Sequence, residues 1–274
     1  MANYLSPQEI TDYTSSSGVN KVNRSVGLVL AMAIMAGVYV ALGAFASSVA
    51  AHDIANKGIG KLVTGAVFPI GLMFVVMNGA DLFTGNCLIF ISTLEKKTSW
   101  TGFIKNLVVV LLGNFIGAVS IAFLVSNSGI LDMSDGRFGA YMIKTAVSKS
   151  NLEFMQALSL AIICNIYVCA GIWMIYSAKD VAGKLLAGFF SIFAFAISGA
   201  EHVVANMFYI PLALFSKTSE YLELAHASVE QLTWGKFFLN NLIPVTIGNT
   251  IGGLFIGGMY FLIYKKLTKP SDVK

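Results

Sequence analysis

Ser198-Gly199-Ala200-Glu201-His202-Val203-Val204-Ala205-Asn206 places a carboxylate and an imidazole inside a run that is otherwise apolar from about residue 185 to 215. Ionisable groups at membrane depth are expensive, so the pair marks a functional site by default. The pattern occurs twice. Asn78-Gly79-Ala80-Asp81-Leu82-Phe83-Thr84-Gly85-Asn86 lies 120 positions earlier, with Gly79 standing where the later copy has Gly199. Both copies read Gly-Ala-acid, three further residues, a small residue and Asn. The acid recurs, so it belongs to the architecture; the histidine occurs once, opposite Leu82.

Around this stretch the chain is strongly apolar. Of its 274 residues 56% are hydrophobic and 12% charged, with a mean hydropathy of +0.75. A soluble domain carries about 25% charged residues, so the composition describes an all-α integral membrane protein in a lipid bilayer. At about 20 apolar residues per span, six regions qualify: 26–49, 62–94, 103–125, 154–177, 185–215 and 237–264. The second and fifth are too long for one straight helix and too short for two spans, and each holds the Gly-Ala-acid motif near its middle. A broken helix is expected in both, with irregular backbone at a depth where only protein or a cavity can surround it. Pro69 and Pro211 are expected to interrupt these regions further.

The flanks carry less. Ser6-Pro7-Gln8-Glu9 is a capping box with proline at the first helical position. It predicts a short helix over residues 7–13, ended by Ser15-Ser16-Ser17-Gly18, either simply solvated or covering a pore mouth. Residues 1–23 lack the apolar stretch of a signal peptide. No G-x-x-x-x-G-K-[ST] loop occurs, since Gly58-Ile59-Gly60-Lys61 is too short, so any driving force is expected to be a gradient. Cys87, Cys164 and Cys169 fall in apolar segments and act as small hydrophobes. Counting Lys and Arg by loop puts Lys21, Arg24, Lys96, Lys97, Lys105, Lys179, Lys184, Lys265, Lys266, Lys269 and Lys274 on one side. Lys57, Lys61, Arg137, Lys144, Lys149, Lys217 and Lys236 fall on the other. Both termini are therefore expected in the cytoplasm.

The duplication extends beyond the motif. Ala33-Ile34 and Tyr39-Val40-x-x-Gly43 match Ala161-Ile162 and Tyr167-Val168-x-x-Gly171. Asn106 followed by Gly113-Asn114-Phe115-Ile116-Gly117 matches Asn241 followed by Gly248-Asn249-Thr250-Ile251-Gly252. Three spans per copy force the halves into opposite orientations, an inverted repeat of the kind that builds transport sites near the membrane midplane. The expected organisation is a cytoplasmic segment over 1–23, repeat 1 over 24–150, repeat 2 over 151–264 and a cytoplasmic tail over 265–274. The Gly-x-x-x-Gly pairs allow close helix approach, within the chain or between copies of it.

Gly79 to Asn86, Ser198 to Met207 and Leu242-Ile243-Pro244-Val245-Thr246-Ile247-Gly248-Asn249 together resemble the signatures of the formate/nitrite transporter family, over residues 22–264. The resemblance implies an aquaporin-like protomer, a homopentamer in a bacterial inner membrane, and one pore per protomer for a small monovalent anion such as formate, nitrite or hydrosulfide. The general look of the chain leans to the hydrosulfide branch. It further implies two apolar constrictions flanking a chamber with one histidine, here His202. Partners map onto Thr84 and Asn165, the broken-helix asparagine onto Asn206, and the outer lysine onto Lys149. The constrictions map onto Leu72 and Leu82 on the cytoplasmic side and Phe68 and Phe195 on the outer side.

Physical chemistry gives these residues work to do. An anion that enters an apolar constriction loses its hydration, at a cost of at least several kcal/mol, and protonation removes most of it. His202, as the side chain that titrates nearest neutrality, is expected to pass a proton to the substrate. Asp81 and Glu201 are expected to accept unpaired amides of the half-helix that follows each break; direct contact with an anion is the alternative. Thr84 either serves the substrate, as both donor and acceptor, or bonds the backbone at the break. One histidine without clustered cysteines or carboxylates makes no metal site, and no catalytic residue, cofactor or nucleic-acid partner is expected. Rival readings are an intramembrane serine hydrolase, disfavoured because Ala196-Ile197-Ser198-Gly199 lacks G-x-S-G and a second base; an aquaporin-like neutral pore, disfavoured because neither half-helix carries Asn-Pro-Ala; and obligatory proton–anion symport.

Overall fold

Each apolar region is helical in the computed structural model, which describes residues 4–268. Lys269 and Lys274 of the tail lie outside the described residues. The helices are α1 (Pro7–Asn23), α2 (Val26–Ala51), α3 (Lys57–Met77), α4 (Phe83–Leu94), α5 (Trp100–Ser126), α6 (Arg137–Ser150), α7 (Phe154–Ser177), α8 (Val181–Ser198), α9 (Val203–Ser216), α10 (Ser219–Leu224) and α11 (Trp234–Leu267). Six of them, α2, α3, α5, α7, α8 and α11, are long and apolar enough to cross a membrane, while α4 and α9 are shorter and apolar. The chain is thus a multi-pass, all-helical membrane protein.

Polar residues at the ends set the boundaries. Ser25 Oγ accepts the Leu28 amide, Asn56 Oδ1 those of Gly58 and Ile59, Ser99 Oγ that of Gly102 and Asp180 that of Gly183. Each satisfies a donor with no partner inside its own helix. Helix α1 begins at the expected capping box but runs on to Asn23, ten residues beyond the predicted end at Tyr13. The Ser-Ser-Ser-Gly stretch stays helical because tertiary contacts use it. Ser15 donates to Glu95, and a Cβ on Gly18 would lie 2.7 Å from Ser92 Oγ, so the glycine lets α1 lie against α4. Helix α6 buries Phe138, Met142, Ile143 and Ala146 at helical spacing but is too short for a span, and the apolar regions do not include it. Pro69 divides α3 into Lys57–Val67 and Ile70–Met77, whereas Pro211 sits inside α9 without ending it.

Helix stops at both copies of the motif. After Met77, Gly79 turns left-handed at φ 75°, Leu82 is extended, and helix resumes at Phe83. After Ser198, Gly199 does the same at φ 74°, His202 is extended, and helix resumes at Val203. Glycine takes this conformation with little cost. The intervening backbone is tied down by Asp81 N–H to Met32 O (3.2 Å) and Glu201 N–H to Leu160 O (3.3 Å).

The Gly-x-x-x-Gly pairs pack within the chain. A Cβ on Gly117 of α5 would lie 2.0 Å from Ile34 O of α2, and one on Gly252 of α11 2.4 Å from Ile162 O of α7. Backbones this close leave room only for hydrogen. The asparagine between each pair then reaches the break. Asn114 donates to Ala33 O and Asp81 O and accepts Phe83 N–H; Asn249 donates to Ala161 O and Glu201 O and accepts Val203 N–H. The same three bonds recur at both stops.

Candidate functional site

His202 is the N-cap of α9, and its Nδ1 accepts the Ala205 amide at 3.2 Å. A nitrogen that accepts carries no proton, so in the neutral ring the proton sits on Nε2. Nε2 stands 3.1 Å from Thr84 Oγ1, the first turn of α4, and so donates to it. The two restarted helices therefore meet side chain to side chain. Both residues are buried, Thr84 completely. Thr84 O accepts an amide hydrogen of Asn165 at 3.2 Å, and Asn165 also donates to Asn249 O at 2.5 Å. Asn165 thus stands behind Thr84 and lines neither cavity described next.

Two cavities flank this pair and share no lining residue. The first, about 240 Å³, has Leu72, Leu82, Asp81, Lys21 and Arg24 in its wall. The second, about 250 Å³, is lined by Phe68, Phe195, His202, Asn206, Lys149 and Lys61, among others. The Phe68 and Phe195 rings meet edge-on with centroids 5.5 Å apart, and Phe195 lies 5.8 Å from the His202 ring. All four constriction candidates are buried, with Leu72 and Leu82 at 5% and 4% exposure.

The acids do not accept half-helix amides, contrary to expectation. Those donors go to Asn114, Asn249 and the His202 ring. Asp81 instead binds Lys21 and Arg24 of the α1 end, each at 2.9 Å, and Glu201 binds Lys149 at 2.8 Å. A buried carboxylate gains more from a cation than from an amide, and the amides already had a neutral partner. Glu201 Oε2 also accepts Asn206 Nδ2 at 2.6 Å, and Asn206 Nδ2 reaches Asn241 Oδ1 at 2.8 Å. Asn206 Oδ1 is buried without a protein donor among the described residues. In the other half, Asn86 Nδ2 donates to Asn106 Oδ1 at 2.9 Å and its Oδ1 accepts Lys21.

Lys21, Arg24, Asn86, Asn106 and Asn241 were missed as site residues. Lys21 had only been counted as a cytoplasmic charge. A signal existed: Lys21 precedes Lys149 by 128 positions, the offset that relates Ala33 to Ala161. The two backbones have like partners: Asn106 Nδ2 donates to Lys21 O (3.2 Å) and Asn241 Nδ2 to Lys149 O (3.0 Å). Among the described residues no group of three or more His, Cys, Asp or Glu could hold a metal.

Known proteins are similar to this chain over most of its length. The family profile described as formate/nitrite transporter matches residues 8–263. A probable formate transporter of Methanothermobacter thermautotrophicus is 36% identical, over 97% of this chain and 99% of its own length. A formate channel, FocA, of Haemophilus influenzae is 35% identical over 93% of each. Among solved structures, a pentameric formate channel with formate bound superposes with a TM-score of 0.77 at 32% identity, covering 88% of this chain and 98% of that one. An FNT family ion channel reaches 0.82 at 27% identity, covering 93% and 98%. With its profile matched almost end to end and relatives this similar, the chain belongs to the formate/nitrite transporter family.

Proposed function

We propose that the protein is a channel for small monovalent anions, with formate the first to test. Its path runs from the first cavity past Leu72 and Leu82 to His202 and out past Phe68 and Phe195 through the second cavity. The observation that carries the reading is the His202–Thr84 pair held between two cavities with cationic walls. The relatives' names support formate, and the leaning to hydrosulfide has no such support. Positive-inside counting puts the α1 end in the cytoplasm. The recurrence of the asparagine and lysine contacts supports an inverted repeat with broken second and fifth spans, its first copy beginning within α1. The pentameric relative supports a homopentamer, one pore in each protomer.

Permeation follows from the hydrogen bonds. The resting imidazole donates through Nε2 and accepts through Nδ1. A second proton must go to Nδ1 and displace the Ala205 amide, which costs about 1–3 kcal/mol for the donor left unpaired. An anion against the ring offsets that cost, so the ring charges when substrate is present. Nε2 then gives its proton to the anion, leaving a neutral ring protonated on Nδ1, and exchange of that proton for one on Nε2 restores the form that accepts the Ala205 amide. The neutral acid crosses the apolar constriction without the desolvation cost of the ion. Asn206 Oδ1 and Thr84 Oγ1 are acceptors suited to the acid's O–H.

The test is flux in proteoliposomes for formate, nitrite and hydrosulfide separately, at several pH values, for wild type and His202→Asn. The asparagine variant is expected to lose most formate flux or its pH dependence. If both are unchanged, the proton step is wrong. Reversal potentials against imposed pH gradients separate conduction from obligatory symport.

A further inference from the structure

The wall of the second cavity holds two lysines, and they stand in different electrostatic situations. Lys149 lies 2.8 Å from the buried Glu201 carboxylate and over the Tyr209 ring at 5.5 Å. A cation paired at that distance presents mainly a dipole to an approaching ion, and its field fades within a few ångströms. Lys61 is exposed and has no carboxylate partner among the described residues. Two acids of the loops on this side are engaged elsewhere: Asp53 pairs with Arg137 at 3.0 Å, and Asp132 accepts the Tyr221 hydroxyl. Lys61 is therefore a free unit charge on this wall.

Its place on the path is set by α3. Lys61, Thr64 and Phe68 are spaced at i, i+3 and i+7, so they share a face of the helix, and all three line the cavity. The row leads from the ammonium to the aromatic constriction. Lys61 Nζ also lies 4.0 Å from the point a Cβ on Gly199 would occupy, at the end of α8. The ammonium thus stands near the carbonyl end of α8, which favours a cation.

We infer that Lys61, rather than the lysine locked to Glu201, is the residue that captures the anion at the outer mouth and delivers it along α3 to Phe68. This rests on the anion-channel reading above. At the α1 end the corresponding surplus comes from Lys21 and Arg24 sharing the single acid Asp81. Lys184 lines the first cavity as well, so both cavities keep an excess of positive charge.

The experiment measures labelled formate uptake into right-side-out membrane vesicles containing the full-length protein, for wild type, Lys61→Met, Lys61→Arg and Lys61→Glu. A unit charge about 8 Å from the anion, at an effective dielectric between about 40 and 80, changes local anion concentration about two- to sixfold. Lys61→Met is expected to raise the half-saturating concentration by that factor at about 0.01 M ionic strength, with little change in maximal rate. The effect should shrink at about 0.15 M, where the screening length falls from about 30 to about 8 Å. Lys61→Arg should match wild type, and Lys61→Glu should exceed Lys61→Met. An unchanged half-saturation in Lys61→Met at low salt overturns the assignment. So does a change that salt does not suppress, which would make Lys61 a structural cap of α8. Wild-type vesicles that take up no formate, nitrite or hydrosulfide would overturn the channel reading as well.

Discussion

Replacing Lys149 by methionine should destabilise the protein more than replacing Lys21, although both lysines bind a buried acid. In Lys149→Met, Glu201 Oε1 loses its partner at 2.8 Å, and Oε2 keeps only the amides of Asn206 at 2.6 Å and Asn241 at 3.4 Å. A carboxylate 4% exposed is then left without a cation, which costs about 3–5 kcal/mol. In Lys21→Met, Asp81 retains Arg24 at 2.9 Å but Asn86 Oδ1 loses its donor, and the loss is about 2.5 kcal/mol, the low end for a hydrogen bond to a charged group plus the low end for a buried acceptor left unpaired. At about 2–4 °C per kcal/mol for a chain of comparable size, Lys149→Met should melt about 6–20 °C below wild type in detergent. Lys149→Met combined with Glu201→Gln removes both charges and keeps an oxygen for Asn206, so most of the loss should return. The reasoning fails if Lys149→Met melts no lower than Lys21→Met, or if the double variant melts as low as the single one.

Two further outcomes follow from contacts elsewhere. Gly117→Ala would press a methyl to 2.0 Å from Ile34 O, which is backbone and cannot swing away; the expected cost is at least about 1–3 kcal/mol, read as a lower melting temperature, whereas Gly27→Ala meets nothing within 4 Å and should be neutral or slightly stabilising. At the α1 end, burial pushes the Glu95 carboxyl up, but Lys97, Ser15 and Lys265 outweigh it and hold the group below its ordinary value of 4.5. A depressed folded value means the stabilisation is complete above the unfolded value and disappears as pH falls through the folded one. The bond from Ser15 and the ion pairs of Lys265 with Glu95 and Asp12 should therefore hold α1 unchanged from pH 7 to about 5 and release it below 4.5. Hydrogen exchange of α1 amides would show this, and loosening already between pH 7 and 5 would contradict it.

Much of the fold was legible because the bilayer reduces the choices. A run of about 20 apolar residues must satisfy its backbone internally, so all six membrane-crossing helices were visible as hydropathy. The two stops were visible too, as Gly followed by an acid inside runs too long for one helix. Helix α1 was read too short, since Ser and Gly end helices in water but here meet Glu95 and α4. Helix α6 escaped notice because its buried face answers to α9 and α10 rather than to lipid. Pro211 misled for the opposite reason, as proline inside a helix is tolerated when the surrounding protein holds the segment.

For the site, the sequence determined the cast: one histidine at membrane depth, two acids at two breaks, and asparagines at matching positions in both halves. Those follow from composition and repetition, which are one-dimensional properties. Which group bonds which was decided by tertiary structure alone. The amides of the restarted helices went to Asn114, Asn249 and the imidazole, and the acids were left to pair with Lys21, Arg24 and Lys149. That choice depends on distances between residues 52 and 57 positions apart in the chain, set by glycines that bring α5 against α2 and α11 against α7. The Glu201–His202 pair with which the chain first declares itself is accordingly divided: the carboxylate anchors a lysine, and the ring, its tautomer fixed by one backbone amide, faces Thr84 on the path.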